Sequence, residues 1–292
     1  MLEKNHQIGG ALQVFSRDKC VFDTGVHYLG GLDKGENLYQ LFKYLDIYDG
    51  LKMRSLDRDG FDVIRFEDGS SYKHGQGYDT FANELIKAFP EEAEAIHGFC
   101  AKLQEVCDFF PLYNIKEQAT NSYFENPEIL GIGAWDYVCS ITENERLRNV
   151  LLGSGPLYAG DVKTTPLYVL ALILNSYIKG SYRLLDGGSQ ITKQLVKRLR
   201  ENGGSILKHK EVVSANYNES GDLVSVNCSD GTSYAADNFI SNIHPAVTID
   251  VFGKNKSTTS SKATGKKVAP KYRDPATGNT WTGRGIAPKW LQ

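Results

Sequence analysis

Short stretches of alternating apolar and polar residues near the start of the chain indicate β-hairpins. Residues 13–15 and 20–22 predict two strands around a four-residue turn. Residues 61–66 and Tyr72 predict a second pair of strands, because Glu67-Asp-Gly-Ser between them is typical of a turn. We therefore expect antiparallel pairing in both places.

The apolar spacing becomes helical from Asp79 to Phe110, with Pro90 dividing the segment into two helices. The apolar run Leu167 to Leu174 is much shorter than the about 20 residues that cross a bilayer. It predicts a buried helix or one that touches a membrane surface. We expect an inserted helical region over about 75–180.

Glycines, a helix and strands follow one another in the last third of the body. Leu184-Leu-Asp-Gly-Gly-Ser precedes a predicted helix over 191–201, which Asn202-Gly-Gly ends. The predicted strands after it cover residues 205–208, 211–217, 222–228, 232–234 and 236–242. This order indicates an α/β fold with mixed α+β character.

Charge is divided unevenly along the 292 residues. Residues 254–292 contain seven lysines, two arginines and one acid, a net charge of +8, whereas the rest of the chain carries −10. Lys, Ser and Thr dominate residues 253–266, so we expect a disordered basic linker there. The asymmetry suggests an anionic partner for the C-terminal end alone.

Cysteine usage and the N-terminus favour a cytoplasmic protein. The five cysteines are widely spread and form no C-x-x-C, which indicates neither a disulfide framework nor a zinc site. The first residues lack the apolar segment of a signal peptide, so no export is expected.

An acid and a glycine pair near the start are typical of a dinucleotide-binding βαβ unit. Glu3 would receive the ribose hydroxyls, and Gly9 with Gly10 would let the backbone approach the cofactor closely. A surface glutamate followed by an ordinary glycine turn is the alternative.

Residues 2–31 (LEKNHQIGGALQVFSRDKCVFDTGVHYLGG), Asp186-Gly-Gly and residues 234–245 together resemble phytoene desaturase-type flavoproteins, which include carotenoid isomerases and retinol saturases. The resemblance covers residues 1–252. It implies a glutathione-reductase-type FAD domain into which a helical substrate region is inserted. It also implies FAD as cofactor and hydride transfer between flavin and a long polyene or isoprenoid lipid.

The same resemblance assigns individual residues to the cofactor. His27 has an alternative role as a packing residue, and His244 either approaches the flavin or belongs to a His-Pro turn. No catalytic acid or base is identified. The assigned residues are Glu3 for ribose, Gly9 and Gly10 for pyrophosphate, Val213 for adenine, and Asp23, Gly25 and His27 for the flavin.

The sequence departs from that family at its main phosphate site. It contains no G-x-G-x-x-G, and Gly153-Ser-Gly-Pro-Leu-Tyr is a near miss with Tyr158 where glycine is required. The resemblance also stops near Phe252, before the usual flavin-contacting C-terminal segment. We therefore expect a truncated body that binds FAD weakly.

Residues 267–292 resemble the C-terminal DNA-binding domain of histone-like nucleoid-structuring proteins, through Tyr-Arg-Asp-Pro and Thr-Trp-Thr-Gly-Arg-Gly. That resemblance implies insertion of an Arg-Gly loop into the minor groove of A·T-rich DNA. A solvated basic tail is the alternative. The assigned DNA-binding residues are Trp281, Thr282, Gly283, Arg284 and Gly285.

Three functions remain open at this point. The first is a FAD-dependent oxidoreductase acting on a polyene, impaired by truncation and cytoplasmic or peripheral to a membrane. The second is a nucleoid-associated DNA-binding protein, and the third is a chimera with neither activity. No metal is expected.

Overall fold

The computed structural model of the chain describes residues 1–116 and 129–253, and the backbone alone of residues 127–128, 272–273 and 280–281. The chain divides into two compact units, Met1–Glu211 and Val212–Gln292. Helices and strands are both abundant, which confirms the mixed α/β class. The domain boundaries given above stay a prediction.

The first unit alternates short strands with helices. Its strands are β1 (Val14–Arg17), β2 (Cys20–Asp23), β3 (Met53–Ser55), β4 (Asp62–Arg65), β5 (Ser71–His74) and β6 (Tyr182–Leu184). Its helices are α1 (Asn37–Tyr44), α2 (Tyr78–Ala88), α3 (Ala93–Asp108), α4 (Pro127–Leu130), α5 (Ala134–Ile141), α6 (Glu145–Leu151), α7 (Leu167–Ile178) and α8 (Ser189–Glu201).

Both predicted hairpins are confirmed. Strands β1 and β2 pair antiparallel, with Phe15 opposite Phe22. The turn between them places Asp18 and Lys19 at positive φ, the conformation that twists the connection to match the strands. Strands β4 and β5 pair in the same way.

Helices α2, α3, α5, α6 and α7 surround the larger apolar core of the first unit. Fully buried side chains such as Phe81, Phe99 and Leu170 fill it. The run Leu167 to Leu174 forms most of α7, so the buried-helix prediction is confirmed. No helix in the described parts of the chain is long and apolar enough to cross a membrane.

A smaller core lies between α1, α8 and the antiparallel pair β3–β6. Leu32, Phe42 and Ile47 meet Leu184 of β6 and Ile191 of α8 there. Successive side chains of β6 point to opposite faces of the strand. Leu184 therefore enters this core, and its neighbour Arg183 lies on the opposite face. The core thus fixes the start of α8 relative to β6.

Two predicted strands are wrong. Residues 205–208 form only one parallel bridge, between Leu207 and Leu2, and not a regular strand. Residues 236–242 are irregular, and Ile240 is 98% exposed. Apolar content alone does not make a strand, since the backbone also needs a neighbouring strand with which to pair.

The second unit begins with an antiparallel meander, as predicted. Its strands are β7 (Val212–Tyr217), β8 (Leu223–Cys228) and β9 (Ser233–Ala235), followed by helix α9 (Pro245–Phe252). The backbones of β10 (Tyr272–Arg273) and β11 (Thr280–Trp281) pair antiparallel. The predicted linker, apart from Gly253, lies outside the described residues.

His74 ends β5 inside the larger core, where it is fully buried. Its Nε2 lies 3.1 Å from the Val150 carbonyl oxygen and donates to it, whereas Nδ1 has no partner among the described residues. Burial lowers the pKa of this imidazole to about 4 because it penalises the charged form, although the nearby Asp62 acts in the opposite direction.

We predict that His74 makes the body sensitive to acid. The unfolded chain takes up this proton below the ordinary pKa near 6.5, and the folded chain only near pH 4. Stability should therefore fall as the pH drops from 6.5 to 4, by roughly 3 kcal/mol in total. Urea titrations at several pH values should show a flatter dependence for His74→Gln. The exposed His97→Gln is the control and should leave the dependence unchanged.

Candidate functional site

The glycine turn at the start of the chain presents free backbone donors. Gly9 and Gly10 have φ angles of 122° and 54°, and their carbonyl oxygens accept from Leu12 and Gln13. The N–H groups of Gly9, Gly10 and Ala11 have no acceptor among the described residues. Successive unpaired N–H groups of this kind are suited to an anion such as a phosphate.

The space around the two glycines differs. A Cβ at Gly9 would lie 2.5 Å from Thr192 Oγ1 of α8, so packing against the helix also requires glycine there. A Cβ at Gly10 would meet no atom within 4 Å. The Thr192 hydroxyl is buried and has no partner in the described part of the chain. An open turn with free N–H groups fits the pyrophosphate of FAD.

Glu3 directly follows Leu2, which forms the isolated parallel bridge with Leu207. Its N–H donates to Leu207, and its carbonyl oxygen accepts from Lys210, both over 2.9 Å. The Asn5 N–H donates to its Oε1 over 2.7 Å, which fixes the carboxylate at the end of the segment. The other carboxylate oxygen is left for ribose hydroxyls, so the residue fits the role that the sequence predicts.

Asp23, the last residue of β2, carries a buried carboxylate whose side chain is 1% exposed. The Gly188 N–H, at the start of α8, donates to its Oδ1 over 2.8 Å. Its Oδ2 forms an ion pair with Arg183 of β6. Asp23 therefore binds the backbone just before α8 and neutralises the arginine, and its carboxylate faces away from solvent.

The residues after Asp23 form a loop that contacts the glycine turn. A Cβ at Gly25 would lie 3.1 Å from both the carbonyl oxygen and the Cβ of Ala11. The His27 carbonyl oxygen accepts from Arg183, and the residue itself is exposed. Residues 23–27 thus lie between the glycine turn and β6, and we call them the flavin loop because the resemblance stated above predicts that this segment approaches the flavin.

The structure brings the glycine turn, the flavin loop and the start of α8 together.

Val213 lies on β7 in the second unit and is 48% exposed. His244 caps α9, where its Nδ1 accepts from the Ala246 N–H over 3.2 Å, as the turn alternative expects.

Sequence reasoning did not identify Arg183 or Thr192 as part of this neighbourhood. Asp186-Gly-Gly marked the start of α8, and Arg183 stands three residues before it. No sequence pattern relates the arginine to Asp23, because the two are 160 positions apart.

Most of the predicted DNA-binding residues lie outside the described part of the chain. Trp281 belongs to β11, of which only the backbone is described. Thr282, Gly283, Arg284 and Gly285 are not described. Within the described residues, no group of three or more His, Cys, Asp or Glu side chains could hold a metal ion.

The body is similar in sequence to enzymes that are named for retinol and prolycopene. It is 23% identical over 242 residues to all-trans-retinol 13,14-reductase of Danio rerio, covering 77% of this chain and 40% of that protein. It is 27% identical over 269 residues to prolycopene isomerase 2 of an Oncidium hybrid cultivar, covering 87% and 45%. The chain thus spans less than half the length of these relatives.

A solved structure shows the same fold. An oxidoreductase from Methanosarcina mazei matches with a TM-score of 0.59 at 16% identity, covering 86% of this chain and 54% of that chain.

The tail has separate relatives. Residues 267–292 match the H-NS histone C-terminal domain family. Within the tail, 24 residues are 77% identical to the DNA-binding protein Bv3F of Burkholderia vietnamiensis, covering 8% of this chain and 21% of that protein.

The match that covers most of the chain agrees with the glycine turn, the flavin loop and the mixed fold. Residues 1–251 match the flavin containing amine oxidoreductase family. The chain belongs to that family.

Proposed function

We propose that this chain forms part of a FAD-dependent oxidoreductase that acts on a polyene or isoprenoid lipid. The observation that carries the proposal is the open glycine turn, with its three free N–H groups, beside the flavin loop. The family match supports FAD as the cofactor, and the names of the relatives support a polyene as the substrate class.

Each part of FAD has a proposed binding residue. The N–H groups of Gly9 and Gly10 would donate to the pyrophosphate, and Glu3 would accept from the ribose hydroxyls. Val213 would contact the adenine, and the flavin loop would lie along the isoalloxazine ring. Bound FAD supplies the exchange of a hydride with the substrate.

The side chains of the flavin loop act by position more than by proton transfer. The Asp23 carboxylate already accepts from Gly188 and Arg183, and it is buried. It is therefore unavailable to take a proton from a substrate, and its contribution is to hold the loop. Gly25 contributes the absence of a side chain, which lets the loop approach Ala11.

We predict that the 292-residue chain binds FAD weakly, because its sequence contains no G-x-G-x-x-G turn to hold the pyrophosphate at a helix N-terminus. Fusing a strand, G-x-G-x-x-G turn and helix from a prolycopene isomerase before Met1 should tighten binding by about tenfold or more. Titration of FAD against both proteins measures this. Stoichiometric binding by the unextended chain would contradict the prediction.

The extended protein also tests Glu3. Glu3→Gln should weaken FAD binding while FMN, which lacks the adenosine, binds as before. Glu67→Gln removes an exposed acid from the β4–β5 turn and is the matched control. Equal FAD affinity in the Glu3→Gln variant and the control would show that Glu3 is an ordinary surface acid.

A second candidate function is DNA binding by the tail. It rests on the match of residues 267–292 and on the net charge of +8 beyond Gly253. Lysines would contact phosphates and attract any duplex, whereas Arg284 with Gly285 would enter the minor groove of A·T-rich DNA. A nucleoid location would follow from this binding.

We predict that mutants distinguish the phosphate contacts of the lysines from the minor-groove contact of Arg284. Lys262, Lys266 and Lys267 changed together to Ala should weaken binding to every duplex and flatten its salt dependence, because fewer counterions are released. Replacing Lys34, Lys163 and Lys193, which are exposed on the body, is the charge-matched control. Fluorescence anisotropy at two salt concentrations distinguishes them.

Arg284→Ala should instead remove the preference for A·T-rich over G·C-rich duplex, on the order of 1–3 kcal/mol. Ile286 stands where a second basic residue is common, so the preference should lie at the low end. An A·T preference that survives this substitution would show that the tail is a solvated basic extension.

A further inference from the structure

We propose that Arg183 is a positioning residue for the flavin, acting through the flavin loop. This inference rests on the proposed function. Arg183 lies on β6 and is not among the residues that the sequence assigned to the cofactor. Its guanidinium reaches the loop at both ends, through the Asp23 carboxylate and the His27 carbonyl oxygen.

The first end of the loop is fixed by a buried charge. The Asp23 side chain is 1% exposed, and a carboxylate at this depth requires compensation for its lost hydration. Arg183 provides the charge, and the Gly188 N–H provides a second hydrogen bond over 2.8 Å. Removal of the guanidinium would leave a buried acid with one donor among its described neighbours.

The second end of the loop is fixed by geometry. Both bonds come from one guanidinium nitrogen, Nη1, whose two N–H groups point in different directions, so a single arginine bridges Asp23 and the His27 carbonyl oxygen. A lysine side chain keeps the charge but its nitrogen lies one bond closer to the backbone than Nη1. Arg183→Lys therefore keeps the positive charge opposite Asp23 and loses the reach that the two-point attachment needs.

The attachment also fixes the surface beside the glycine turn. Gly25, midway between the two attachments, has room for only about 3.1 Å between an added Cβ and Ala11. Ala11 directly follows Gly9 and Gly10. A shift of the loop would thus disturb the surface beside the turn, where the flavin end of FAD would lie, and leave Glu3 untouched.

Arg183 stands opposite another arginine in the sheet, so the two like charges repel each other. Arg54 of β3 pairs directly with Arg183 in the sheet, and like charges opposite each other destabilise a strand pair. Arg54 is exposed and forms no salt bridge among the described residues. It lies beside Arg183 but does not reach the flavin loop, which makes Arg54→Lys the matched control.

Two ligands test the proposal on the full chain. FAD probes the whole site, whereas ADP-ribose probes only its adenosine and pyrophosphate part. Calorimetric titrations up to millimolar ligand would be made on the parent, Arg183→Lys and Arg54→Lys. We expect Arg183→Lys to lower FAD affinity by about tenfold, to shift the visible spectrum of bound flavin and to leave ADP-ribose affinity within about twofold. Arg54→Lys should change neither.

Other outcomes overturn the proposal in distinguishable ways. Equal losses for both ligands, or no loss for either, would mean that Arg183 only stabilises the fold. A parent that binds ADP-ribose but not FAD would refute both this inference and the flavin part of the proposed function. A parent that binds neither ligand would refute the cofactor site altogether.

Gly25→Ala is a second variant, for use if Arg183→Lys does not fold. It keeps the ion pair and pushes the loop against Ala11. The same selective loss of FAD affinity is expected. Unchanged FAD affinity in this variant would overturn the proposal.

Discussion

The buried carboxylate of Asp23 is the interaction on which the candidate site depends. A charge with 1% of its side chain exposed must be paired, and here it is paired with Arg183 and with the backbone at the start of α8. The carboxylate belongs to β2, whereas its partners on β6 and at the start of α8 stand 160 and 165 positions later in the sequence. One carboxylate therefore fixes three elements in a single arrangement, and the glycine turn packs against the same helix through Thr192.

The smaller apolar core supports this arrangement from the other side of β6. Leu184 enters the core beside Ile191 of α8, whereas Arg183, one position earlier, points to the acid. Successive side chains of β6 lie on opposite faces, so this three-residue strand contributes both to the apolar core and to the ion pair with Asp23. The larger helical core lies elsewhere in the first unit and contains no residue assigned to the cofactor.

The body and the tail would bind anions by different physical means. The body has a formal charge of −10, and its glycine turn would bind phosphate through oriented backbone N–H groups. The tail has a charge of +8 and would bind DNA phosphates through lysines, which release counterions. Salt should therefore affect the two interactions unequally, because a few fixed dipoles in a turn are screened less than the unit charges of several lysines.

The sequence alone determined most of the local elements and the family. Alternation and turn residues specified both hairpins, Pro90 separated α2 from α3, and the apolar run of α7 indicated burial, because these signals depend on neighbouring residues. Glu3 and the glycine pair were assigned to the cofactor from their order in the chain, and that assignment stays a prediction. The tertiary structure alone decided which backbone finds a partner, so residues 236–242 form no strand. It also decided that Asp23 meets Arg183, since pairing across 160 positions depends on how the chain packs and leaves no periodic trace in the sequence.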